Sequence, residues 1–409
     1  MTADGVSVRA RRLAFLGVFG SGFLSLTALG AALPVLPRYV TGPIGAGDVA
    51  VGVVIGAFAV GAIGARPLAG RLADARGRRA IFSAGALVMA LAGALLFVPA
   101  GVPGLVVARL VLGLGEALVF TAGATWVVDL APSGRRAQAI GLFGLAVWTG
   151  LSVGTLGGEL AFGVGGYAAV WALAAATPLA GAILVRRMPD SHRPPPPSPE
   201  RAPLLPRPSL APGLALGLAS IGYATMASFV VLHLDAVGVG GGAVVFTTFT
   251  AAVVAARLLG GRLPDRIGAR PCAIVAGAAE AAGLVLVAVA GSLALALAGA
   301  LVLGVGFSLL YPSLALLVVE RVDESRRGAA LGAFTAFFDL GIGLGAPLAG
   351  AVASLGGYPA SFAAAAGLSG LAALVVLGRA PPWRADSATV AARVSMPFRL
   401  RSRARPPRS

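Results

Sequence analysis

Arg109 and Glu116 stand seven residues apart within one apolar run, and Glu280 and Asp339 each stand near the middle of another. A charge among apolar neighbours is costly unless something pairs with it. Seven helical steps turn roughly 700°, about 20° short of two full turns, so Arg109 and Glu116 share a helix face some 10.5 Å apart along the axis. That gap leaves room for water or a bound molecule. An acid and a base on one stripe, with lone carboxyls elsewhere, are equipped to hold a ligand's charge or to pass a proton. Arg109 can equally hold the carbonyls of a neighbouring helix, and Glu280 can be a purely structural acid. Glu159, Asp235 and His233 fall near run ends, where hydration accounts for them. The chain has no Gly-x4-Gly-Lys-[Ser/Thr] phosphate loop, no metal-ligand spacing and no nucleophile set, and the lone Cys272 rules out an internal disulfide. No enzyme activity, cofactor or direct ATP use is expected.

These residues must be positioned by membrane helices. The chain is 57% hydrophobic and 12% charged, with a mean hydropathy of +0.90, whereas a soluble domain carries about a quarter charged residues. Apolar runs fall near 13–37, 49–69, 80–98, 103–128, 138–160 and 167–185, and again near 211–234, 243–261, 271–291, 293–318, 328–353 and 357–378. Runs of roughly 20 residues match the hydrocarbon thickness of a bilayer. The first is too long for a cleaved signal peptide. Twelve transmembrane helices in an all-α membrane protein follow, numbered here as spans one to twelve.

The net charge of +16 would point to nucleic acid in a soluble chain, but its placement decides otherwise. Arginines cluster at 9–12, 71–79, 135–136, 186–207, 262–270, 321–327 and 379–408, in alternate inter-span segments. This is the positive-inside pattern. It puts both termini in the cytoplasm and the bilayer, not nucleic acid, around the chain. The organisation reads as a cytoplasmic N-terminus (1–12), a six-helix half (13–187), a Pro-rich cytoplasmic linker (188–210), a second six-helix half (211–378) and a basic tail (379–409), expected to be disordered and drawn to anionic lipid.

Gly70-Arg-Leu-Ala-Asp74-Ala-Arg-Gly77-Arg78-Arg79 returns 191 residues later as Gly261-Arg-Leu-Pro-Asp265-Arg266-Ile-Gly268-Ala-Arg270. The same offset carries Ala65 and Arg66 onto identical residues, and takes Arg135, Arg136, Ala139, Gly141, Phe143, Gly150 and Gly154 onto their matches from Arg326 to Gly345. One offset held from span two to span five means parallel repeats, a plan of secondary carriers with the substrate site between the halves. The offset maps Arg109 to Ala300, Glu116 to Phe307 and Asp339 to Trp148, so the charged residues are unique to one half. In the repeated loop, Gly70 and Gly77 allow a tight turn and close approach. Asp74 and Asp265 can accept hydrogen bonds from the free N–H groups of a neighbouring helix start.

With Arg109-x3-Gly113-x-Gly115 in span four and Asp129-x2-Pro132-x2-Arg135 at its exit, the chain resembles the major facilitator superfamily over about residues 10–380. Gly113-Leu-Gly-Glu116, Ala124-Thr-Trp126 and Phe338-Asp339-Leu-Gly-Ile-Gly are similar to bacterial permeases of arabinose-efflux and drug-efflux types. The resemblance implies a monomeric two-halved fold in which spans one, four, seven and ten line a cavity and spans three, six, nine and twelve are peripheral. Tyr223, Ser228 and Phe229 in span seven and Phe307 and Tyr311 in span ten are then cavity-lining candidates. It implies a conformational latch built from Gly70, Asp74, Gly77, Arg78, Arg135, Asp265 and Arg266, with Asp74 near Arg327-Gly328 and Asp265 near Arg136. Arg109, Glu116, Asp339 and Glu280 become proton-coupling or substrate residues. The expected activity is proton-coupled export of a drug-like, amphiphilic or sugar-like molecule across the cell membrane by alternating access. Antiporters carry Gly-x3-Gly-Pro-x2-Gly-Gly in span five, but here Thr155 and Glu159 replace the proline and last glycine. Proton-coupled uptake, or a membrane sensor that keeps the fold, are the alternatives.

Overall fold

Residues 8–131, 136–190, 206–322 and 327–378 are described in a computed structural model, and every regular element among them is helical. The linker residues 191–205, the tail 379–409 and Arg135 lie outside the described residues, as do the side chains of Arg136 and Arg327. The described residues up to Leu377 belong to one compact unit.

The elements are α1 (Val8–Ala32), α2 (Leu36–Thr41), α3 (Asp48–Arg76), α4 (Arg78–Leu95), α5 (Gly101–Leu130), α6 (Arg136–Arg186), α7 (Arg207–Ala236), α8 (Gly242–Gly260), α9 (Leu263–Ile267), α10 (Ala269–Ala288), α11 (Leu293–Val319) and α12 (Arg327–Gly378). Among the described residues, ten helices are long and apolar enough to cross a membrane. Two of them are double. The backbone of α6 breaks at Gly165 and Gly166, and that of α12 breaks at Gly357, with Gly166 at φ +61° and Gly357 at φ +76°. Only glycine adopts that region without strain, so each long element is two spans joined by a glycine corner. The twelve-span pattern follows, with α1 and α2 as span one, α6 as spans five and six, and α12 as spans eleven and twelve.

Close packing within each half depends on glycine, because lipid supplies little hydrophobic force between helices. A side chain at Gly113 would strike the carbonyl oxygen of Phe58, and one at Gly154 the carbonyl of Thr27. Gly113→Ala is therefore expected to part α3 from α5 at a cost of about 1–3 kcal/mol, the range for overpacking. Gly163→Ala, where nothing lies within 4 Å, should leave stability unchanged; thermal unfolding of the detergent-purified pair checks both.

The repeated loop differs from its sequence reading. Arg71 to Arg76 continue α3 without a break, so the first connection reduces to Gly77 at φ +97°. Gly70 therefore lies inside a helix, and a side chain there would make only an ordinary contact with Thr121 at 4.0 Å. It shapes no turn. In the second copy Gly260 ends α8, Leu263 opens the short α9 with Pro264 in its first turn, and Gly268 pivots at φ +92°. Proline removes a backbone donor and favours a helix's first turn, which explains the break in one copy alone.

Candidate functional site

Arg66, ten residues before the end of α3, reaches across the seam between the halves. Its Nε donates to Asp339 Oδ2 at 2.6 Å and its Nη2 to Oδ1 at 3.0 Å. The same Nη2 lies 3.5 Å from Glu116 Oε2. The guanidinium stands 5.4 Å from the Phe120 ring centroid. Glu116 and Phe120 are one turn apart on α5 and so present one face. Asp339 is 1% exposed and Glu116 6%. One arginine thus holds two buried carboxylates from opposite halves. A planar fork suits this task, since it grips a carboxylate through two parallel bonds.

The Arg109–Glu116 stripe does not open into a cavity between the halves, as its spacing suggested. It packs against α3 inside the first half because Gly113, on the same stripe, draws the two backbones together. Arg109 is 3% exposed. Its Nη2 donates to the carbonyl of Ile55 at 3.4 Å and its guanidinium sits 5.3 Å from the Phe58 ring centroid. Its Nε and Nη1 have no hydrogen-bond partner among the described residues. The residue holds a neighbouring helix's carbonyl, and only Glu116 reaches the seam, through Arg66. Glu280, fully buried, is separate again: its Oε1 accepts from Ser369 at 3.3 Å, between α10 and the end of α12. His233 meets the Val287 carbonyl at 2.9 Å within the second half.

Aromatic rings also meet across the seam between the halves. Trp148 on α6 lies 5.4 Å from Phe307 and 6.0 Å from Tyr223, while Tyr223 stacks on Phe307 at 5.6 Å and on Phe338 at 6.3 Å. Two of the expected lining residues, Tyr223 and Phe307, therefore meet. Tyr311 turns its hydroxyl to Thr335 at 2.9 Å. Phe229 lies elsewhere, stacked on Tyr358 at 5.9 Å, and Ser228 is buried without a partner for its hydroxyl among the described residues.

Among the described residues, the remaining polar bridges between halves gather at the arginine-poor end. Arg38 bridges to Asp235 at 3.4 Å and is held within its own half by Glu159 at 2.8 Å. Tyr358 donates to Asp48 at 2.9 Å. Gly52 and Gly56 sit on the backbone of Ala346 and Gly343, and Gly350 on that of Asp48. This end is closed. At the arginine-rich end the loop residues act within their own half: Arg78 pairs with Asp74 and, at 3.2 Å, with Asp129. Asp265 and Arg266 are exposed. The second copy lacks the triad because Ala269 stands where Arg78 stands in the first.

Sequence reasoning passed over Arg66. Its span and its repeat mate Arg257 were visible, and an arginine inside an apolar run was the available signal; its acid partner is 273 residues away.

Comparison with known proteins fits this geometry. A family model described as Major Facilitator Superfamily matches residues 18–244 and 213–407. An uncharacterized MFS-type transporter of Escherichia coli, YhhS, is 33% identical over 375 residues, covering 88% of this chain and 91% of that protein. An uncharacterized MFS-type transporter of Burkholderia mallei is 34% identical over 387 residues, covering 91% and 93%. The crystal structure of nucleoside transporter NupG shares the fold with a TM-score of 0.70 at 14% identity, over 89% of this chain and 98% of that one. The chain is thus a multi-pass membrane carrier rather than an enzyme, and it belongs to the major facilitator superfamily.

Proposed function

We propose that this carrier exports a small ring-bearing, amphiphilic or sugar-like molecule in exchange for protons, as a monomer in the cell membrane, with its termini and arginine-rich end in the cytoplasm. The observation that supports coupling is the Arg66 bridge to Asp339 and Glu116. Protonating Asp339 cancels the charge that holds Arg66 and frees the halves to part on that side. Deprotonation restores the grip. Protons and conformation are then linked through one ion pair, as alternating access requires. Glu116 is the second acid of the site and Arg109 and Glu280 support it from within each half. Asp74, Arg78 and Asp129 brace the cytoplasmic end of the first half.

Uptake driven by the same proton site is the second reading. It is favoured by span five, where Thr155 replaces the antiporter proline and spends its hydroxyl on the Leu151 carbonyl at 2.8 Å, and where Glu159 is tied to Arg38. Everted vesicles holding an acid-inside gradient separate the two. Export by exchange predicts that added substrate collapses the gradient in vesicles with the protein and not in vesicles without it. Substrate movement that deepens the gradient would show uptake.

A further inference from the structure

The duplication carries Arg66 onto Arg257, but it does not carry the acids. At the 191-residue offset Glu116 becomes Phe307, Phe120 becomes Tyr311, and Asp339 has Trp148 as its mate in the first half. The second cation therefore stands where the first stands, with rings in place of both carboxylates. The geometry agrees with the mapping. Asp339, gripped by Arg66, lies one turn beyond Thr335 on α12; Arg257 lies against Gly144, the mate of Thr335, one turn before Trp148 on α6. A Cβ built on Gly144 would be 3.4 Å from Arg257 Nη1. Among the described residues Arg257 forms no ion pair, and it is only partly buried. Trp148 and Phe307, the mates of the two acids that hold Arg66, meet each other and Tyr223 in the seam cluster.

We propose that Arg257 binds the anionic group of the transported molecule, a carboxylate or sulfonate, while Trp148 and Phe307 pack a planar ring attached to it. This names the substrate class of the carrier and rests on the transport reading above. The balance of charge supports it. Both acids of the seam, Glu116 and Asp339, are taken by Arg66, which leaves Arg257 without a carboxylate partner among the described residues. Arg109 is the less suitable anchor because it is enclosed by α3 within one half, whereas Arg257 meets the opposite half directly. A bound anion would complete in the second half the bridge that Asp339 completes in the first, joining α8 to α6 as Asp339 joins α12 to α3. Substrate and acid then perform equivalent closures on the two sides of the pseudo-twofold axis. Guanidinium with adjacent aromatic faces is also a well-matched chemistry for such ligands, through charge-assisted bonds and stacking.

The test uses the full chain purified in detergent and two isosteric pairs, naphthoate with naphthamide and naphthalenesulfonate with naphthalenesulfonamide. Both anions should raise the unfolding temperature in a saturable way, and the neutral partners should not. In Arg257→Gln the apparent affinity for naphthoate should fall on the order of tenfold or more, the size expected for losing a charged hydrogen-bond pair. If Arg257→Gln does not fold, Arg257→Lys, which keeps the charge without the fork, should bind naphthoate more weakly than wild type. Equal binding of the neutral partners, undiminished binding by the variant that folds, or no shift with either anion overturns the proposal. The same compounds in everted vesicles separate its failure from that of the transport reading. Gradient collapse by naphthamide alone leaves exchange standing and removes the anion site. Binding of naphthoate without any gradient response leaves the site and removes exchange.

Discussion

Replacing Arg66 by glutamine is expected to have the largest effect of any single substitution, stopping transport and destabilising the fold together. The change does more than delete hydrogen bonds. Polar contacts between membrane helices average only about 0.6 kcal/mol in double-mutant cycles. Removing the cation, however, strands Asp339 and Glu116, both nearly inaccessible to water, and breaking a buried pair from one side costs about 3–5 kcal/mol. The second effect exceeds the first and sets the magnitude. Asp339→Asn or Glu116→Gln added to Arg66→Gln should recover much of the thermal stability, because the stranded charge is gone, but not transport. Arg66→Lys should fall between, since an ammonium cannot grip both Asp339 oxygens in a planar fork. Melting curves and vesicle gradient assays on the four variants check this ordering. Equal stability of Arg66→Gln and wild type would mean that the bridge bears no charge in the folded protein.

The second large effect belongs to Asp339→Asn. Asparagine keeps the size and one acceptor oxygen but cannot titrate, so the bridge becomes permanently what protonated Asp339 makes it transiently. Transport should lose its dependence on pH, and net movement against a gradient should fall below detection, while exchange of substrate for substrate persists. Persistence of exchange distinguishes a lost coupling site from a damaged fold. Glu116→Gln should act in the same direction more weakly, because Glu116 lies 3.5 Å from Arg66 whereas Asp339 makes bonds of 2.6 and 3.0 Å.

What the sequence revealed and what it concealed divide along physical lines. Spans follow from local composition, since a bilayer demands long apolar helices, and the halves follow from the repeat; the glycine corners at Gly166 and Gly357 emerged only in the structure. The pivot glycines Gly77 and Gly268 were equally legible, because both copies keep them. The site was legible one residue at a time. Glu116 and Asp339 stood out as buried acids, but their shared partner Arg66 looked like the flank of a loop motif. Its meeting with Asp339 depends on how two halves dock, which no local pattern encodes. Arg109 shows the same limit: helical periodicity gave the face and left two roles open, and Gly113 turned that face toward α3, where the residue holds a carbonyl. Gly70 misled because a glycine beside charged residues resembles a turn, while the helix runs on to Arg76.

The central claim is that the Arg66–Asp339 bridge holds the arginine-rich end of the two halves together and that a proton releases it. Distances between nitroxide labels on Ala75→Cys and Gly332→Cys, in a Cys272→Ser background, test it without any substrate. Both positions are exposed, on α3 and α12 at that end. The distance distribution should shift to longer values as the pH is lowered, and the Asp339→Asn variant should show the acid distribution at every pH. Distributions that ignore pH in the parent protein, or that respond to pH identically with Asp339→Asn, would contradict it.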